Sequence, residues 1–269
     1  MRKADDPQLP PLDTIPDGRL YVGVDLGTAY LVLVVLDQNQ KPLAGEYQFA
    51  QVVRDGLVVD YVGAIDLLGN MKRRVEHRLG RELKYAASGF PPGVPLVEVR
   101  ATANVVEAVG LRCTNMVDEP TAANALLGLQ NGAIVDVGGG TTGIAILQDG
   151  EVVYTADEPT GGTHFSLVIA GAHDISFEAA ESMKINPAEQ ARLFPLVRPV
   201  MEKVASIIVR HVTESNIQVN STTLVGGASA YPGMAGVIEE YTGIPTLVPE
   251  RPLFVTPIGI AMHNQIPEY

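Results

Sequence analysis

One pattern occurs twice in this chain. Val24-Asp25-Leu26-Gly27-Thr28 leads into the apolar run 31–36, and Val135-Asp136-Val137-Gly138-Gly139-Gly140-Thr141 leads into the run 143–147. Each copy is a strand ending in aspartate, then glycine and threonine, then a second apolar strand and a polar turn. The turns are Asp37-Gln38-Asn39-Gln40 and Asp149-Gly150, and a returning strand follows each, near 43–49 and 151–155. A strand–turn–strand unit cannot bury its apolar face alone. Two matched copies, about 110 residues apart, therefore call for two related α/β domains.

The loops have chemistry in common as well as grammar. A glycine turn between strands presents backbone N–H groups with no Cβ in front of them, which suits a phosphate chain. A threonine hydroxyl adds a donor. Magnesium takes oxygen ligands and keeps much of its water, so an aspartate at each strand end, Asp25 and Asp136, is a fitting metal-ligand pair. A third element, Leu224-Val225-Gly226-Gly227-Ala228-Ser229, is a short buried strand closed by glycines, flat enough to pack against a purine ring.

Between these elements the periodicity predicts an amphipathic helix over 62–81, with Ile65, Leu68, Met71, Val75 and Leu79 on one face. A strand is expected over 57–61 before it and another over 84–88 after it. A helix near 101–109, a strand over 113–117 and a helix over 121–129 with Pro120 at its first position complete the first half. The second half reads as mostly helical over 163–215, with Pro195 and Pro199 expected to kink or break a helix. A strand over 222–225, a helix over 234–241, a strand near 246–248 and a helix over 257–264 close it.

Composition bounds the partners. The net charge of −12 opposes a general affinity for nucleic acid or anionic membrane. No apolar run approaches the roughly 20 residues that a spanning helix needs. A single cysteine, Cys113, excludes an internal disulfide and fits a reducing cytoplasm. The five histidines (77, 164, 173, 211 and 263) share no metal-ligand spacing. Residues 1–19, rich in Asp and Pro, have the composition of a flexible tail.

Taken together the motifs resemble the actin superfamily, which includes actin, the filament protein MreB and the DnaK-type chaperones. Residues 23–28 resemble its first phosphate motif and 135–142 its second, in the three-glycine form of DnaK. Asp118-Glu119-Pro120-Thr121-Ala122-Ala123 and Pro257-Ile258-Gly259-Ile260-Ala261 resemble the two connecting segments, and 224–229 the adenosine motif. Arg54-Asp55-Gly56-Leu57-Val58-Val59-Asp60-Tyr61 is closer to MreB. The motifs are also similar to those of the short DnaK-like proteins of ethanolamine-utilization operons, which belong to bacterial microcompartments.

The resemblance implies an actin-like ATPase fold of the ribonuclease H-like type: a domain over 20–131, a second over 132–256, a nucleotide cleft, and a C-terminal helix in 257–269 returning to the first. It implies ATP or ADP with Mg²⁺ as ligand. Asp25 and Asp136 would hold the metal through water and serve the catalytic site. Gly27, Thr28, Gly138, Gly139, Gly140 and Thr141 would line the phosphates, and Glu119 would orient an attacking water. Gly161 and Gly162 resemble a further glycine turn. Glu181 and Lys184 resemble a ribose-contacting pair, an exposed ion pair being the alternative. Gly226, Gly227 and Ala228 would face the base. A cytoplasmic, chaperone-like ATPase with a protein partner in the ethanolamine pathway or its microcompartment is the implied role; a non-hydrolysing adaptor and an MreB-like polymer are the alternatives. Two departures stand out. The chaperones' catalytic lysine has only Lys72, Arg73 and Arg74 as neighbourhood candidates, and Ala230-Tyr231-Pro232 replaces the arginine that precedes the proline in chaperones.

Overall fold

The computed structural model describes residues 17–54 and 57–267. The N-terminal segment through Pro16 and the Asp55-Gly56 turn lie outside them, and so do the expectations for a tail and a turn there. The chain divides into two compact units: one runs through Leu127 and takes in the chain from Phe254 on, and the other is Gly128–Leu253.

The first unit contains β1 (Tyr21–Leu26), β2 (Tyr30–Leu36), β3 (Pro42–Phe49), β4 (Val53–Arg54), β5 (Leu57–Val58), α1 (Tyr61–Leu79), β6 (Tyr85–Phe90), α2 (Leu96–Ala108), β7 (Arg112–Asp118) and α3 (Glu119–Leu127). The second contains β8 (Gly132–Val137), β9 (Thr142–Gln148), β10 (Glu151–Glu158), α4 (Gly162–His173), α5 (Phe177–Ile185), α6 (Pro187–Ser215), β11 (Thr222–Val225), α7 (Met234–Thr242) and β12 (Thr246–Leu247). The last helix, α8 (Val255–Met262), belongs to the first unit.

The two sheets share one plan. Their strand orders are β3-β2-β1-β6-β7 and β10-β9-β8-β11-β12. In each, the first three strands pair antiparallel and the remaining neighbours pair parallel. The repeat read from the sequence is thus a repeat of topology. β2, with Leu31, Leu33 and Val35 on one face, packs against Leu68, Met71 and Leu79 of α1. In the second unit Ile144 and Ile146 of β9 join Phe165 of α4 and Val197, Met201 and Ile208 of α6.

Two departures from expectation have a clear physical reason. Asp60 ends the strand expected over 57–61 early, because its Oδ1 accepts from the Gly63 N–H at 2.9 Å and starts α1 at Tyr61. Pro195 and Pro199 do not break α6, which is one 29-residue helix. A mid-helix proline costs about 3 kcal/mol. The face Leu193, Val197, Met201, Val204, Ile208 and His211 is buried at helical spacing, and burial of five apolar side chains at roughly 1.5–3 kcal/mol each outweighs that cost.

Helix α8 lies backbone to backbone on its neighbours. A Cβ on Gly23 of β1 would collide with the Pro257 carbonyl and the Ala261 nitrogen, and one on Gly259 with the Ala122 carbonyl of α3. Ile260 fills the remaining space with Ala87, Val117 and Ala122. Gly259→Ala should lower stability by about 2 kcal/mol through overpacking. Gly171→Ala, in α4 with no atom near the added methyl, should raise it by about 0.5–1 kcal/mol. Urea unfolding of both variants checks this; an unchanged midpoint for Gly259→Ala would contradict the close α3–α8 contact.

Candidate functional site

In both units the polar residues singled out above collect at the carboxyl ends of the parallel strands, where open α/β sheets place their ligands. In the first unit Asp25 is half-buried near the end of β1. The neighbouring strand β6 is tied to it by Ser88, whose buried hydroxyl donates to the Val24 carbonyl at 2.8 Å. Gly89 follows, and a Cβ there would lie 3.6 Å from Cγ of Glu119. Glu119 opens α3 directly after β7, and Asp118 caps that helix by accepting from the Thr121 N–H at 3.0 Å. Asp25, Gly89 and Glu119 therefore follow one another across the ends of β1, β6 and β7. Pro120 is the second helical residue, not the first.

The aspartates occupy equivalent places in the two hairpins, but the threonines do not. Asp25 pairs with Val32 and Asp136 with Gly143. Each loop closes with a glycine N–H bonded to the carbonyl three residues on: Gly27 to Tyr30 at 3.1 Å, and Gly138 to Thr141 at 3.0 Å. Thr28 thus corresponds to Gly139, and Thr141 to Tyr30. The Gly-Thr match in the sequence comes from different loop positions, which counting from glycine to threonine conceals.

The second loop is oriented by a second glycine turn. Gly162 N–H donates to the Gly138 carbonyl at 2.9 Å and Thr163 N–H to the Gly139 carbonyl at 2.7 Å. A Cβ on Gly161 would sit 2.8 Å from both carbonyl oxygens, so only glycine fits there. The trans peptide is planar, so its N–H points opposite to its C=O. With the Gly138 and Gly139 carbonyls turned to α4, the N–H groups of Gly139 and Gly140 face the other way, side by side, as an anion-binding concavity requires. His164 supports the turn by accepting from the Gly161 N–H at 3.2 Å.

Beside this loop, Val225 of β11 pairs with Asp136, and Gly226 comes next with φ +85°. A Cβ on Gly226 would overlap Oδ1 of Asp136 and the Val137 carbonyl. The aspartate carboxylate thus lies over a glycine cradle, half-buried, with oxygen chemistry that fits Mg²⁺ and its water shell. Gly227 and Ala228 continue as a 3-10 turn, Gly227–Ala230, and Ala228 lies near Gly162. Tyr231, which precedes Pro232, is turned into the core. It is buried, packs edge-on to Phe165 at 5.7 Å, and donates to the Gln190 carbonyl at 3.0 Å.

Glu181 and Lys184 form a buried pair, not the exposed one that was the alternative. Nζ donates to Oε2 at 2.6 Å, with the side chains 8% and 13% exposed respectively. Burial pushes the lysine below its ordinary value, against the raising pull of Glu181. Ser166, which the sequence gave no reason to single out, donates to the same Oε2 at 2.6 Å. The α1 cations are engaged within the first unit: Lys72 with Glu76 and Arg73 with Asn70 on the helix itself, and Arg74 with Glu46 and Gln48 of β3.

Comparison with known proteins gives the family and the fold. The ethanolamine utilization protein EutJ of Escherichia coli K12 is 42% identical over 243 residues, 90% of this chain and 85% of its own length. That of Salmonella typhimurium LT2 is 42% identical over 246 residues, 91% and 86% respectively. The chain belongs to the EutJ family. The crystal structure of EutJ from Carboxydothermus hydrogenoformans, 44% identical, superposes with a TM-score of 0.89 over 94% of this chain and 92% of that one. Residues 106–256 match the family model of the type IV pilus assembly protein PilM. The PilM-PilN type IV pilus biogenesis complex, at 15% identity and a TM-score of 0.75, shares the fold. A chaperone HscA homologue of Burkholderia thailandensis is 26% identical over 79% of this chain but 42% of its own length. The fold of this EutJ-family chain is the actin-like ATPase fold.

The glycine cradle is testable without a ligand. Gly226→Ala forces a side chain into a left-handed backbone and against Asp136, and should cost about 1–3 kcal/mol in urea unfolding. Gly227→Ala, whose added methyl would meet only a Leu253 methyl at 3.3 Å, should cost less. Equal effects of the two would remove the case for Gly226 as a cradle.

Proposed function

We propose that the chain binds ATP with Mg²⁺ and hydrolyses it slowly, acting as a chaperone-like or assembly factor in ethanolamine utilization. The observation that carries this is the second loop, whose Gly138 and Gly139 carbonyls are held by α4 so that adjacent N–H groups face outward beside Asp136. Gly138, Gly139, Gly140 and Thr141 would bind phosphates, with Gly27 and Thr28 as their counterparts in the first unit. Asp25 and Asp136 would hold the hydrated metal, which supplies charge neutralisation. Glu119, half-buried beyond β7, would orient an attacking water. Gly226, Gly227 and Ala228 would offer flat backbone to the base.

The ethanolamine role rests on the named relatives, which are ethanolamine utilization proteins. A protein partner in that pathway or in its microcompartment is part of the proposal, and the PilM-PilN complex supports partner binding as a use of this fold. No helix among the described residues is long and apolar enough to cross a membrane, in keeping with a proposed cytoplasmic site of action.

A second reading is a nucleotide-binding adaptor that does not hydrolyse. The local engagement of Lys72, Arg73 and Arg74, with Tyr231 turned into the core, favours it. Calorimetric titration with ATP and ADP, with and without Mg²⁺, should show tighter binding with the metal. Asp25→Asn and Asp136→Asn should each weaken Mg·ATP by about tenfold or more, equivalent to about 1.4 kcal/mol. Glu119→Gln should bind as the parent does and lose phosphate release. Parent turnover no greater than that of Glu119→Gln selects the adaptor, and binding unaltered in both aspartate variants refutes the metal assignment.

A further inference from the structure

The buried pair of α5 meets the glycine turn at one atom. Lys184 Nζ donates to the Gly162 carbonyl at 3.0 Å as well as to Glu181. The Ser166 hydroxyl, fully buried in α4, bridges Glu181 Oε2 at 2.6 Å and approaches the same Gly162 carbonyl at 3.4 Å. On its other side Gly162 holds the loop, through its N–H on the Gly138 carbonyl at 2.9 Å. The pair is also fixed from behind. Gln190 Nε2 donates to the Lys184 carbonyl at 3.1 Å, and Tyr231 donates to the Gln190 carbonyl at 3.0 Å.

A buried ion pair is expensive to desolvate and is weak evidence for stability alone. Here two of the three ammonium hydrogens of Lys184 have acceptors, and one of these, the Gly162 carbonyl, belongs to the turn that supports the loop. A charge-assisted bond to a backbone carbonyl is stronger than a neutral one, so the turn is fastened where its glycines would otherwise leave it slack.

We infer that Ser166, Glu181 and Lys184 form a positioning unit that clamps the Gly161-Gly162 turn onto the Gly138–Gly140 loop, so that its N–H groups are set for a polyphosphate. This rests on the nucleotide-binding reading and departs from a ribose contact. A ribose-contacting pair acts on the nucleoside; a clamp on the loop acts on the phosphates and is felt by a ligand with no ribose.

The test compares Mg·ATP with Mg·tripolyphosphate, and reads amide hydrogen exchange in the free protein. The variants are Lys184→Met and the double substitution Glu181→Gln with Lys184→Met, which leaves no unpaired buried charge if the single variant folds poorly. Both ligands should weaken by the same factor, about tenfold, equivalent to about 1.4 kcal/mol. The Gly162 and Thr163 amides should exchange faster while the buried amides of β11 keep their rates. Loss for ATP with tripolyphosphate unchanged, or unchanged exchange at Gly162 and Thr163, overturns the clamp. A parent that binds neither ligand refutes the nucleotide reading, and the exchange measurement still decides the clamp on its own.

Discussion

Each unit turns on one local hydrogen bond, the glycine N–H that closes the first hairpin on the carbonyl three residues later. It sets the loop length, and the loop length sets which residue stands where. With four residues between the last paired positions of each hairpin, Leu26–Leu31 and Val137–Thr142, the aspartate one position before the strand end is held at the rim of the sheet, next to the parallel strand that follows. The parallel neighbours then bring their own carboxyl ends to the same rim. Gly89 and Glu119 in one unit, and Gly226 in the other, are there because parallel strands start a new element at that edge.

That dependence explains what was legible in the sequence. The strands β2 and β9 carry buried apolar runs, β1 and β8 are apolar but for glycine and the aspartate near their ends, and such runs with glycine turns between them are hard to misread. The aspartates were legible for the same reason. The threonines were not, since a sequence match cannot say which loop residue accepts the closing hydrogen bond. Pro195 and Pro199 misled because a proline's cost is local, whereas the compensating apolar face of α6 is spread over more than four turns and packs on residues distant in sequence.

Ser166 is the instructive omission. A serine inside a helix has no local signal of a role, and its partner Glu181 is on another helix. The i,i+3 spacing of Glu181 and Lys184 was visible, but the same spacing serves an exposed pair and a buried one equally well. Only the seat of α5 against α4, fixed by residues such as Phe165 and Ala180 in the core, decides between them. The clamp is therefore a tertiary property of ordinary residues.

To take the proposed polyanion, an acidic chain would have to solve a problem of range. At physiological salt, charges beyond about 8 Å are largely screened, so a net charge of −12 weighs less on a bound phosphate than donors in direct contact. Backbone N–H groups supply those donors without adding a titratable group, but only while their peptides are held in one orientation. The Gly162 and Thr163 hydrogen bonds do that for the second loop, and the Lys184 ammonium, drawn out of solvent, fastens Gly162 in turn. A lysine left on the surface would have contributed a positive field that salt dilutes. Buried behind the loop, its charge is spent on geometry, and under the proposed function the oriented backbone would do the attracting.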